Sequence, residues 1–181
     1  MIKALDRSLE TITSALEANG LAENTLVLFT SDNGGAGYIG LPSINSPYRG
    51  WKLNHFEGGI HVPLIAKWPS HLEAGLEFDA AVHHVDLFKT IAAAAGVNAP
   101  QDRKIDGVNL LPFLSGNEKG NPHETLFWLQ GHHQTILHQG WKLISSNKPD
   151  NALWLFNLTE DPTETRNLAA ERPEKLAELK K

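Results

Sequence analysis

Residues 25–30, Thr-Leu-Val-Leu-Phe-Thr, form an unbroken apolar run of strand length. The segment before them repeats apolar residues at helical spacing. Ile2, Leu5, Leu9, Ile12 and Leu16 recur at steps of three and four, which places them on one face of a helix. Asn19-Gly20 ends that helix, because Gly suits the left-handed position just past a helical terminus. A strand without polar alternation is expected to be covered on both faces. Helix followed by such a strand predicts an α/β sheet for the first part of the chain.

The same pattern continues further on. His61 to Trp68 reads as a second strand, with Pro63 confined to its start or to an edge because proline cannot donate to a ladder. Val85, Leu87, Phe88, Ile91 and Ala92 give a helix within His83–Ala95, stopped by Gly96. The pattern changes near Asn117 to Asn121. Beyond it lie short strand candidates at Leu126–Leu129, Thr135–His138, Trp141–Ser145 and Leu153–Leu158, then a helix from Pro173 to Lys180. His138-Gln139-Gly140-Trp141 offers a hairpin bend, so the second part is expected to be an antiparallel meander packed on a helix. The chain thus divides into 1–117, an α/β part, and 118–181, a small antiparallel sheet with a helix.

Composition excludes some functions. A length of 181 residues supports a real core, and a net charge of −5 gives no basic field for a phosphate backbone, which argues against nucleic acid as a partner. No segment approaches the roughly 18 consecutive apolar residues of a membrane span, so no membrane partner is expected. There is no cysteine, hence no disulfide, thiolate ligand or cysteine nucleophile. Met1 to Asp6 lacks the apolar core of a signal peptide, so either the protein is cytoplasmic or its real N-terminus lies elsewhere.

Chemistry concentrates in Ser31 to Gly59, a stretch rich in Gly, Asn, Ser and Pro without apolar periodicity. Loops of such length are commonly functional. Ser31-Asp32-Asn33-Gly34-Gly35 follows the apolar strand, where ligands of open α/β sheets gather. Asp32 and Asn33 supply oxygens suited to a hard cation such as Ca²⁺; the same residues are also ordinary turn chemistry. Lys52, within Arg49 to Gly59, is a candidate for holding an anionic substrate, or a solvated charge. Glu57 orients a cation or caps a helix, the structural role being preferred. Among nine histidines, neither His83-His84 nor His132-His133 has the spacing of a helical zinc site. Trp51 is a candidate pocket wall, while Trp68, Trp128, Trp141 and Trp154 read as core residues of strands.

Taken in order, these segments resemble the type I, formylglycine-dependent sulfatases of the alkaline-phosphatase-like superfamily, and specifically their C-terminal half. Asn24 to Gly34 looks like the family's metal-ligand strand, and Arg49-Gly50-Trp51-Lys52 with Glu57 to Pro63 looks like its substrate-lysine loop. Val85 to Ile91, Asp106 to Pro112 and Leu155 to Thr165 extend the likeness over nearly the whole chain. The resemblance implies that Asp32 and Asn33 ligate Ca²⁺ and that Lys52 acts in catalysis and on the sulfate group; His55, which lies in the same loop, is a candidate for contact with the leaving group or the sulfate. A sulfate ester, small or carried on a glycan, is the implied substrate.

The family's nucleophile motif, Cys or Ser followed by any residue, Pro, any residue and Arg, has no match here. Asn45-Ser46-Pro47-Tyr48-Arg49 keeps the Pro and Arg but has Asn in the first place. The family's N-terminal acidic ligands also lack counterparts, and His61 replaces a common Arg. The chain alone is therefore expected to bind Ca²⁺ weakly or not at all and to be inactive, pairing with a missing N-terminal half or self-associating through uncovered apolar surface. The alternatives are a phosphonate or phosphodiester hydrolase of the same superfamily, and a non-catalytic self-associating module.

Overall fold

The computed structural model describes residues 2–41, 43–147 and 151–181. It is a mixed α/β fold that divides into two compact units, each discontinuous along the chain. One comprises the residues up to Phe29 with Leu64–Pro122, the other Thr30–Pro63 with His123–Lys181. The change in pattern near Asn117 to Asn121 cuts the chain once; compactness instead groups residues 30–63 with the C-terminal sheet.

In the first unit, helix α1 spans Ile2–Ala18 and closes where Leu21 N–H donates to the Leu16 carbonyl beyond Gly20. Strand β1 (Val27–Thr30) pairs with β2 (Leu64–Lys67) in a two-stranded sheet. β1 begins later than the apolar run because Thr25 is still tied to the preceding turn, its hydroxyl donating to Leu21 O at 2.7 Å. All four residues of β1 are half-buried, not enclosed, since β2 alone pairs with it among the described residues. β2 likewise starts after Pro63 and stops before Trp68, which is buried.

Helix α3 (Val85–Ala94) is docked to the connector that follows it through two buried polar side chains. The Asp86 carboxylate accepts the His83 N–H at 2.7 Å and the Val108 N–H at 2.9 Å, while the Thr90 hydroxyl accepts the Leu110 N–H at 3.0 Å. Gly107 fits because a Cβ there would stand 1.9 Å from the Val85 carbonyl oxygen. These contacts explain why 85–91 and 106–112 belong together. A short helix α4 (Leu111–Leu114) ends the connector.

The second unit carries the predicted meander. Strands β3 (Thr125–Gln130), β4 (His133–His138), β5 (Trp141–Ser146) and β6 (Ala152–Asn157) are antiparallel in the order β3-β4-β5-β6. The β4–β5 turn is the two-residue bend Gln139-Gly140, both with positive φ, 48° and 80°, which suits the twist of a hairpin. Leu143 and Leu155 share one face and form the core with Leu179 of the final helix α5 (Pro173–Leu179). Trp128, Trp141 and Trp154 are only half-buried, so the large aliphatic residues and Phe156 fill the centre instead.

The opposite face of β4, β5 and β6 presents Thr135, Lys142, Ile144, Trp154 and Phe156, as the alternation of a pleated strand requires. β5 is thus buried on both sides. What covers this second face is the loop containing His55, Phe56 and Glu57, where a short helix α2 (Glu57–Ile60) begins.

Candidate active site

The loop between β1 and β2 folds on itself through backbone contacts so close that they tolerate only glycine. Gly34 N–H donates to the Gly59 carbonyl at 2.9 Å, and a Cβ on Gly34 would stand 1.8 Å from the Gly58 oxygen. Gly58 in turn lies against the Arg49 and Gly50 carbonyls. The Asp-Asn-Gly-Gly turn and the Glu-Gly-Gly turn are therefore packed backbone to backbone. Lys52 N–H donates to the Gly35 carbonyl at 3.1 Å, which ties the lysine loop to the same turn.

Asn45 clamps this arrangement. Its Oδ1 accepts the Gly35 N–H at 2.6 Å, and its Nδ2 donates to the Gly35 and Gly50 carbonyls, each at 3.0 Å. The residue standing first in the motif-like Asn45 to Arg49 run thus spends its amide on holding the loop. Asp32 is exposed, while Asn33 and Lys52 are half-buried. Among the described residues, no group of three or more His, Asp or Glu is placed to hold a metal ion.

His55 is 3% exposed, and its Nδ1 lies 2.8 Å from Thr135 Oγ1. Burial, reinforced by His133 and Lys142 nearby, pulls its pKa down to about 4, so the ring is neutral at pH 7. Trp51 is half-exposed, its ring lying against Gly37.

Behind the loop lies a buried charge network that sequence reasoning did not single out. Lys142 Nζ is 2.6 Å from Glu57 Oε1 and 2.9 Å from Glu164 Oε1. Glu164 Oε2 accepts the Glu57 backbone N–H at 2.6 Å, and the Glu164 carbonyl accepts Arg49 Nη1 at 3.3 Å. His61 Nδ1 completes the set at 2.8 Å from Glu57 Oε2. Burial pushes the Glu57 carboxyl up, but the His61 hydrogen bond and the Lys142 charge together hold it below the ordinary range. Glu164 goes the other way, its burial outweighing the Lys142 charge. His61 is raised by its bond to Glu57 against the effect of burial. The structural role preferred for Glu57 matches this placement. Two sequence signals pointed here: a lysine inside the otherwise apolar Trp141 to Ile144 strand, and Glu164 within Asp161-Pro162-Thr163-Glu164-Thr165, a turn folded around the Asp161 carboxylate.

Comparison with known proteins places the chain in a family. The sulfatase profile matches residues 1–97, and the profile described as N-sulphoglucosamine sulphohydrolase, C-terminal, matches residues 50–181. The chain belongs to the sulfatase family. It is 36% identical over 128 residues to the uncharacterized sulfatase YdeN of Escherichia coli (strain K12), covering 71% of this chain and 22% of that protein. It is 40% identical over 133 residues to the human steryl-sulfatase, covering 70% of this chain and 23% of that protein. Among solved structures, Ps i-CgsB in complex with k-i-k-neocarrahexaose superposes with a TM-score of 0.85 at 32% identity, over 98% of this chain and 40% of that one. BT4656 in complex with its substrate D-glucosamine-2-N,6-O-disulfate gives 0.76 at 27% identity, over 98% and 37%. This chain therefore spans about a quarter to two fifths of the length of these proteins.

Proposed function

We propose that this chain supplies the C-terminal part of a sulfate-ester hydrolase, with Asp32 and Asn33 as oxygen ligands of Ca²⁺ and Lys52 on the sulfate group. The observation that carries the reading is the bond from Lys52 N–H to Gly35 O, which joins the lysine loop to the Asp-Asn-Gly-Gly turn in a chain of the sulfatase family. The donor chemistry fits a hard cation, but one carboxylate and one amide are only a part of the 6 to 8 oxygens that Ca²⁺ takes, roughly. Bound there, Ca²⁺ would offset the negative charge of the sulfate oxygens.

The Lys52 ammonium would donate to a sulfate oxygen and hold it as charge builds during S–O cleavage. His55 is 3% exposed and bonded to Thr135, which turns it toward the sheet, so this reading gives it no contact with the sulfate. The attacking group would come from outside this chain, since no Cys or Ser stands in the family's nucleophile motif. Sulfated sugars are the favoured substrate class, because Ps i-CgsB and BT4656 are known in complexes with a neocarrahexaose and a disulfated glucosamine.

The test is an aryl sulfate releasing a coloured phenol. It is run on the purified chain, on the chain co-folded with an N-terminal sulfatase half containing formylglycine, and on that pair with Lys52→Ala. Turnover is expected from the complemented pair alone, with a lower kcat/KM in the Lys52→Ala pair. Robust metal-dependent turnover by the chain alone would sink the reading.

A phosphonate or phosphodiester hydrolase is the second reading, supported by the phosphonate monoester hydrolase of Agrobacterium radiobacter, with a TM-score of 0.74 at 25% identity over 99% of this chain and 38% of that one. Rates of the complemented pair on sulfate and phosphonate esters of one phenol separate the two. Self-association without catalysis is the third. It is supported by α1, which buries no residue among those described and leaves Ile2, Leu5 and Ile12 exposed. Sedimentation velocity on the purified chain tests it.

A further inference from the structure

Glu164 occupies an unusual position for a glutamate. It is 0% exposed, its φ is +60°, and it lies in the turn after β6, 107 residues from the loop it contacts. A non-glycine residue in the left-handed region is strained, so the surrounding contacts must hold it there. In that conformation its carboxylate and its own carbonyl both meet the segment Arg49–Glu57. Oε2 accepts the Glu57 N–H at 2.6 Å, and the carbonyl accepts Arg49 Nη1 at 3.3 Å. One residue therefore grips both ends of the segment that carries Lys52 near its middle.

The grip is itself anchored. Lys142, wholly buried on the inner strand β5, lies 2.9 Å from the other carboxylate oxygen of Glu164 and 2.6 Å from the side chain of Glu57. Buried ion pairs of this kind contribute little net stability compared with well-packed apolar residues, but moving one partner away leaves the other charge uncompensated in a dry site. We propose that Glu164 is the positioning residue of the Lys52 loop, holding Arg49 and Glu57 at a set separation so that Lys52 stays against the Asp32–Gly35 turn. This rests on Lys52 being the sulfate-binding residue for its functional meaning, but the geometric claim can be tested without any substrate.

The test is amide hydrogen exchange by NMR on the purified 181-residue chain, in wild type, Glu164→Ala, Arg49→Met and Glu164→Gln. The reporters are the Lys52, Gly58 and Gly34 amides, which donate to Gly35, Arg49 and Gly59. Leu143 and Ile144 of β5 report on the sheet. Glu164→Ala and Arg49→Met should each speed exchange at the loop amides by about tenfold or more while leaving the β5 amides within about threefold. Glu164→Gln keeps an acceptor for the Glu57 N–H and leaves Lys142 paired with Glu57, so loop protection should return.

Loop amides that do not change, or that change in step with β5, would overturn the proposal. So would failure of Glu164→Gln to restore protection. If Glu164→Ala does not fold, unchanged exchange at Lys52 in Arg49→Met decides against it. A failure of the sulfatase assay would leave these exchange rates as they are, so the two claims fail separately.

Discussion

Lys142, with no exposed surface, places its ammonium 2.6 Å from the carboxylate of Glu57, a residue 85 positions earlier in the chain. Removing one partner of a buried pair leaves the others without compensation. Lys142→Met is expected to cost about 3–5 kcal/mol of unfolding free energy, because two carboxylates then remain in a dry site. Neutralising all three groups, with Glu57→Gln and Glu164→Gln added, should recover most of that loss. Urea denaturation of the variants at one pH measures both, and a single-variant loss under about 1 kcal/mol would count against the assigned network.

The pH dependence has two limbs of opposite sign. The His55 pKa is lowered to about 4, so between about 4 and 6.5 the unfolded chain holds a proton there that the folded chain does not. Stability is therefore lost as pH falls from about 6.5 toward 4, and His55→Asn should flatten that limb. His61 is raised by Glu57, so its contribution is complete below its unfolded pKa and is lost as pH rises through the folded value. His61→Asn should flatten this second limb. Denaturation midpoints across both windows check the two variants, and an acid limb unchanged in His55→Asn would contradict the burial argument.

Gly34 tests the backbone packing of the site. A methyl group there meets the Gly58 carbonyl oxygen, with only 1.8 Å between them, so Gly34→Ala must push the two turns apart. A loss of about 1–3 kcal/mol or more is expected. Gly116 is the comparison, since it has a positive φ of 73° but nothing within 4 Å of its would-be Cβ. Gly116→Ala should show only the backbone cost, about 1 kcal/mol. Equal losses in the two variants would show that contact at Gly34 is not the cause.

Calcium binding separates a partial site from a complete one. Titration calorimetry of the chain alone should detect weak binding or none, with no change in Asp32→Ala, because two oxygen ligands leave Ca²⁺ short of its usual number. Tight binding abolished by Asp32→Ala would mean that further acidic groups complete the site.

Elements governed by local pattern were legible in the sequence. The helical spacing of α1, the turn at Gln139-Gly140 and the short strand runs of β3 to β6 are each written in neighbouring residues, and the elements follow them. The extent of β1 was less so, since the Thr25 hydroxyl is taken by Leu21, a choice that propensity does not announce. Its degree of cover was not legible either, because that depends on what lies beside the strand. His55 gives the same lesson at the site. Its sequence neighbours suit an exposed substrate loop, whereas a hydrogen bond to Thr135, 80 residues away, draws it inward. Nor does any periodicity specify that Glu57, Lys142 and Glu164 meet, because pairing over such separations is decided by topology.

The double cover of β5 has a consequence for how the gene can be recombined. Leu143 faces helix α5, and Lys142 faces the loop around Glu57, so the strand depends on coding segments on both sides of a long insertion. A crossover placed near codon 118 would join this meander to a foreign 49–61 loop, and the lysine would inherit whatever side chain stood at position 57. Only parents that already carry an acidic residue there would yield chimaeras in which the strand keeps its partner, which makes positions 57, 142 and 164 one unit of exchange.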